Sequence, residues 1–180
     1  EKAIYKLDLI DKEVLLEEIT DLLSYDTIRK VKELWLDKNE FGDEGVEALA
    51  TSPQIKKLMV LSLAYNKLSN YSVQSLAVSP FFCNLRKLFL QGNNLSHDAL
   101  RALSSSQTLS NLQMLYLNLN PIGPHGARVL AGESEMKNLR ELYLQKTGLG
   151  LGGLEALCES ENFQELTLLS LAGNGVVDNA

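Results

Sequence analysis

Trp35, Phe89, Tyr116 and Tyr143 are separated by multiples of 27 residues. Ring side chains repeated at a fixed interval suggest recognition chemistry, not bond-making chemistry. Large rigid side chains that bury much area at little entropic cost dominate protein interfaces. Tyr65, Met114 and Leu119 fall in neighbouring columns of the same period and extend the apolar set. Glu33, Asp37, Lys87, Glu141 and Lys146 stand beside them and would orient a partner through charge. Aromatic residues also favour strands and stack between adjacent ones. Two facts favour a binding surface: leucine already fills the positions a core needs, and a large exposed apolar patch is uncommon without a use.

Other reactive residue types give less. His97 and His125 fall near the starts of two successive helical segments on the outer side, where solvated histidines are the simplest reading. No cleft or third ligand makes them a metal or acid–base pair. The cysteines Cys83 and Cys158 occupy different phases of units three steps apart. At about 4.8 Å per step that is roughly 14 Å, twice the reach of a disulfide. Both are expected to be free, buried thiols, which suits a reducing compartment. Gly148 to Gly153 is glycine-rich, but it lacks the Lys-Ser/Thr ending of a phosphate loop. Asn70-Tyr71-Ser72 and Asn94-Leu95-Ser96 match the glycosylation acceptor, and chance is the better account without an export signal. No Ser-His-Asp or Cys-His set can be assembled by phase. The sequence is read as non-catalytic, with no catalytic, metal or cofactor-binding residues.

The elements that position these side chains follow from the period. Leu85-x-x-Leu88-x-Leu90-x-x-Asn93-x-Leu95 recurs at Leu58 and at Leu112, and its first position falls at Ile4, Val31, Leu58, Leu85, Leu112, Leu139 and Leu166. Self-similarity of this kind marks a solenoid. In each unit the alternating leucines make a short strand. A column of Gly42, Ser69, Ser96 and Gly123, with Pro124 after the last, marks a helix start eleven residues into the unit. Small residues follow at Gly45, Ser72, Ala99, Gly126, Gly153 and Ala180, where the helix backbone is expected to approach the sheet layer. Asn39, Asn66, Asn93, Asn120 and Asn174 are expected to form a ladder that satisfies turn backbone groups, with Thr147 as a looser break. Strands joined by right-handed crossovers make a parallel sheet. Strands space more closely than helices, so the stack curves with its strands inside.

The first unit is degenerate. It has Lys12 in the asparagine column and a helix expected over Glu13 to Tyr25, and it reads as a partial cap. The last unit stops at Ala180 with no polar cap, so its open end is expected to meet a further repeat, a cap or another chain. With no Met at its start, the 180-residue sequence is expected to be one domain cut from a longer chain. Its net charge of −6 argues against nucleic acid, whose affinity is built from Lys and Arg. No apolar run is long enough to span a membrane.

The pattern resembles the ribonuclease-inhibitor-like class of leucine-rich-repeat proteins over essentially the whole chain. The resemblance implies an α/β solenoid, a curved horseshoe with a parallel sheet on its concave face and helices on its convex face. It also implies binding of another protein on the concave side. Leu49-Ala50-Thr51-Ser52-Pro53 and Leu76-Ala77-Val78-Ser79-Pro80 are similar to bacterial members, effectors delivered into host cells among them. Two functional classes fit. One is a scaffold, inhibitor or adaptor working in its own cytosol or a host's. The other is a GTPase-activating or substrate-recruiting module of a larger enzyme. On the first, alanine at both Phe89 and Tyr116 is expected to abolish binding with the thermal midpoint nearly unchanged.

Overall fold

The computed structural model describes residues 5–132 and 134–175. Ile4, Val176 and Ala180, which the repeat pattern uses, lie outside them. Among the described residues, seven short strands alternate with six α-helices. They are β1 (Lys6–Asp8), α1 (Leu16–Ser24), β2 (Glu33–Trp35), α2 (Gly42–Thr51), β3 (Val60–Ser62), α3 (Asn70–Val78), β4 (Lys87–Phe89), α4 (His97–Ser104), β5 (Met114–Tyr116), α5 (Gly123–Ala131), β6 (Glu141–Tyr143), α6 (Gly150–Cys158) and β7 (Leu168–Ser170). The sheet order is sequential and every pairing is parallel. Register follows the repeat: Lys6, Glu33, Val60, Lys87, Met114, Glu141 and Leu168 face one another across successive strands. This is the α/β leucine-rich-repeat solenoid expected from the sequence.

One continuous core runs between sheet and helices. Leu34, Leu61, Leu88, Leu115 and Leu142 from the strands are fully buried, as are Leu49, Leu76, Leu103 and Leu130 from the helices. Each such leucine contributes about 1.5–3 kcal/mol by leaving water. The asparagines hold the turns. Asn66 is buried, and its Oδ1 accepts from Asn39 N at 2.8 Å and Glu40 N at 2.9 Å. Its Nδ2 donates to Leu36 O at 2.9 Å and Ala64 O at 3.1 Å. At Thr147 the ladder changes partners: Ile122 N donates to its own Asn120 O at 2.8 Å, so that turn closes locally instead of opening. Ser69 and Ser96 cap their helices by accepting from Tyr71 N and Asp98 N.

Three expectations change. The first helix is shorter than its pattern, because Glu13 takes a left-handed φ of 55° and delays the start to Leu16. The small column reflects contact with neighbouring turns and helices, not with the sheet. A Cβ on Gly126 would lie 2.3 Å from Ile122 Cγ2, and one on Gly153 would lie 3.0 Å from Ala127 Cβ and 3.2 Å from Pro124 Cα. The two cysteines are free, as expected, but exposed. Cys83 follows a short 3-10 turn on the outer edge, and Cys158 ends α6.

Candidate protein-binding surface

The sheet brings the four rings into one file. Phe89 stacks on Tyr116 with centroids 4.7 Å apart, and Tyr116 stacks on Tyr143 at 3.9 Å. Trp35 and Phe89 belong to strands two apart, yet their centroids are 5.2 Å apart. At about 4.8 Å per strand the separation should be nearly twice that, so both rings lean inward across β3. Ser62 lies between them and is fully buried, and Val60 and Ala64 beside it are buried too. The inter-leucine residues of β3 are therefore not on the concave solvent face, as their phase suggests. Larger neighbours roof them over.

This packing makes the four rings half-buried, whereas the sequence suggests full exposure. Met114 is half-buried as well. The most exposed apolar side chains of the expected set are Tyr65, 43% exposed, and Leu119, 41% exposed. Both sit just past their strands with left-handed backbones, φ 56° and 60°. The Tyr65 ring covers Gly92, where a Cβ would clash with Cε1; the column's other members take the same left-handed φ with side chains, so it is the contact that favours glycine here.

The charged flank divides in two. Asp37 accepts from the Ser62 hydroxyl and from Ala64 N at 3.0 Å. Glu141 accepts from the Tyr143 hydroxyl at 2.9 Å, and Glu33 takes a longer bond from Trp35 Nε1 at 3.4 Å. These three carboxylates, expected to orient a partner, are engaged by side chains and backbone of the surface itself. Lys87 and Lys146 are exposed and available to a partner. Lys6 Nζ lies 4.9 Å from the centre of the Trp35 ring, so the file already receives a cation from its own chain at one end. Tyr143 holds its phenol proton well above the ordinary value of 10.0, first through its hydrogen bond with Tyr116 and then through that with Glu141.

Gln91, Asn118 and Gln145 share one column of the repeat, two residues past Phe89, Tyr116 and Tyr143. Gln91 Oε1, Asn118 Oδ1 and Gln145 Oε1 are each buried without a hydrogen-bond partner in the chain. Three consecutive amides in one column was the available signal, since unpaired buried acceptors are uncommon. His97 and His125 meet edge to face at 4.7 Å, and Asp98 lies 3.4 Å from His97 Nε2. Among the described residues no cluster of three or more metal-ligating side chains occurs. No described helix is long and apolar enough to cross a membrane. The Asn70 amide is engaged from both atoms, to Ser96 Oγ at 2.8 Å and from Ser96 N at 2.9 Å, as a structural residue would be.

A family model described as leucine-rich repeat matches residues 27–50 and 135–158. The match covers about a quarter of the chain, and with the parallel sheet and its 27-residue register it agrees with a leucine-rich-repeat solenoid fold. No curated protein matches the chain. Among solved structures, the C-terminal domain of tropomodulin from Caenorhabditis elegans is similar at 15% identity and a TM-score of 0.60, over 82% of this chain and 93% of that one. TLR13, in a complex with ssRNA13, matches at 18% identity and a TM-score of 0.41 over 88% of this chain and 26% of its own. The plant peptide hormone receptor RGFR1, in complex with RGF2, matches at 17% identity and 0.38 over 81% of this chain and 29% of its own. The likeness to the tropomodulin domain is one of fold.

Proposed function

We propose that the protein is a non-catalytic interaction scaffold that docks a partner protein on its concave face. The carrying observation is the continuous ring file from Trp35 to Tyr143 with Tyr65 and Leu119 standing exposed at its border. A surface already packed by stacking loses little side-chain entropy when a partner covers it, which favours affinity. Leucine-rich-repeat proteins generally serve protein–protein interaction, which supports the same reading. The 27-residue strand–helix unit supports the ribonuclease-inhibitor-like class, and two free exposed thiols support a reducing, cytosolic setting.

Because Phe89 and Tyr116 also brace the sheet, the cleaner probe is at the border. Tyr65→Asn and Leu119→Asn keep a side chain that tolerates left-handed φ and remove exposed apolar surface. A pull-down comparing the parent with this double variant, read by mass spectrometry, is expected to show a protein retained by the parent and lost by the variant at equal thermal midpoint. Equal retention by both would place the binding surface elsewhere.

A further inference from the structure

The outer edge of the solenoid, where the loops after the helices turn back into the strands, carries a second asparagine ladder. Asn84 Nδ2 donates to Lys56 O at 2.8 Å, Asn111 Nδ2 to Cys83 O at 2.9 Å and Asn138 Nδ2 to Ser110 O at 2.9 Å. Each ties its loop to the preceding one. The same column holds Lys30 and Lys57 in the first two repeats and Glu165 in the sixth. At Lys57 an ammonium on a flexible stem stands where the later repeats have a short amide. The sequence departs from its own structural rule there, and such departures tend to fall at functional sites.

A cleft opens at that place. It has a volume of about 400 Å³ and is lined by Arg29, Pro53, Gln54, Lys56 and Lys57. Arg29 Nε donates to Gln54 Oε1, and its guanidinium lies 3.5 Å from Asp26 Oδ1, which steadies it at the rim. Lys56 and Lys57 are exposed, and neither joins an ion pair among the described residues. The repeat makes the concavity, because a cleft of about 300 Å³ lies four units further on at the same phase, lined by Lys137, Glu161, Asn162, Gln164 and Glu165. The charge does not repeat. Where the first cleft has Lys56 and Lys57, the second has Gln164 and Glu165. Three cations around one hollow, in a chain of net charge −6, are a local feature against the global trend.

We propose that this basic cleft is a second docking site, distinct from the concave face, for an acidic Asp/Glu-bearing segment of a partner protein. Lys56 and Lys57 supply mobile ammonium groups, and Arg29 supplies a planar donor already oriented by Gln54. The hollow admits a carboxylate or two. Three cations are too few to hold a nucleic acid, whose affinity grows with each phosphate neutralised.

The test uses rhodamine-labelled hexaglutamate and hexaglutamine, read by fluorescence anisotropy against the parent and Lys56→Gln/Lys57→Asn. Hexaglutamate is expected to bind the parent with an affinity that falls between about 50 mM and about 300 mM salt. The variant is expected to weaken binding at least about tenfold, the loss of two charge contacts. Its thermal midpoint is expected to be equal or higher, since Lys57→Asn restores the amide tie of the column, so lost binding cannot be lost folding. Hexaglutamate binding no better than hexaglutamine would overturn the proposal, as would equal affinity for parent and variant.

Discussion

The ring of Tyr116 lies on that of Tyr143, with centroids 3.9 Å apart and planes 10° apart. Both rings come from the same register position of adjacent parallel strands, so the sheet itself sets the stack. Tyr143 is further fixed by its hydroxyl donating to Glu141 two residues earlier on the same strand. The end of the ring file is therefore held by a hydrogen bond that exists only while the phenol keeps its proton.

That bond has an alkaline signature. Deprotonation would place a phenolate beside Tyr116 and the Glu141 carboxylate, which is why the folded state raises the Tyr143 pKa above its ordinary 10.0. A raised folded pKa contributes stability that is complete below the unfolded value and is lost as pH climbs through the folded one. Stability is thus expected to fall above about pH 10. Denaturant melts of the parent and Tyr143→Phe across pH 8 to 11 check this: the variant should show the shallower decline. Parallel curves would mean that Tyr143 does not carry the dependence.

The fold was legible because the 27-residue register puts Leu34, Leu61, Leu88, Leu115 and Leu142 in one column, and a solenoid maps sequence columns onto spatial files. What the columns do not encode is side-chain lean. Ser62 has an outward phase and is fully buried, because Trp35 and Phe89 reach across it from both sides. Its neighbour Asp37 reads as a charge for a partner but serves Ser62 and Ala64. Period-two alternation fixes the face a residue starts from; the sizes of neighbours two strands apart decide whether water reaches it. Cys83 illustrates the same limit at the loop edge: its phase suggests burial beside Phe82, and its place after a tight turn exposes it.

Acid should loosen the convex layer at one joint. Asp43, in the first turn of α2, accepts from Ser69 N at 2.9 Å and from the hydroxyls of Ser69 and Ser72 on α3. Partial burial opposes its ionisation, and the bonds from Ser69 and Ser72 outweigh that, holding the carboxyl below its ordinary 3.8. A depressed folded pKa contributes stability present above the unfolded value and lost as pH falls through the folded one. Asp43→Asn is expected to cost on the order of 1 kcal/mol at neutral pH, discounted for partial exposure, and much less near pH 2. Urea midpoints of both proteins at the two pH values would show the gap close; a constant gap would count against the ionised bridge.

The asparagine ladder predicts changes of opposite sign. Asn66→Ala leaves Asn39 N, Glu40 N, Leu36 O and Ala64 O short of a buried partner, and is expected to cost about 2–4 kcal/mol. Thr147→Asn returns an amide to the column where Ile122 N now bonds to Asn120 O, and should stabilise by about 1 kcal/mol. Equilibrium denaturation of both variants checks the pair. A destabilised Thr147→Asn would show that the local bonds of Thr147, to Leu144 O at 2.7 Å and Asn174 Oδ1 at 3.1 Å, outweigh the ladder.

Phe89 is the point where binding surface and structure meet. Its ring touches Trp35 on one side and Tyr116 on the other, and with Trp35 it roofs Ser62. Phe89→Ala therefore opens a hydroxyl-floored gap in the face and should cost about 2 kcal/mol, less than a full core truncation because the ring is only half-buried. The same packing predicts a lowered thermal midpoint for the double alanine variant at Phe89 and Tyr116, where full exposure of both rings led to the expectation of one nearly unchanged. Trp35 is the chain's one tryptophan, so its emission reports the site directly. The variant should emit at longer wavelength as water reaches the indole, while Tyr65→Asn should leave the emission in place. An unshifted Trp35 spectrum in Phe89→Ala would mean that the two rings do not pack in solution. In that case Phe89 would serve as a free contact residue.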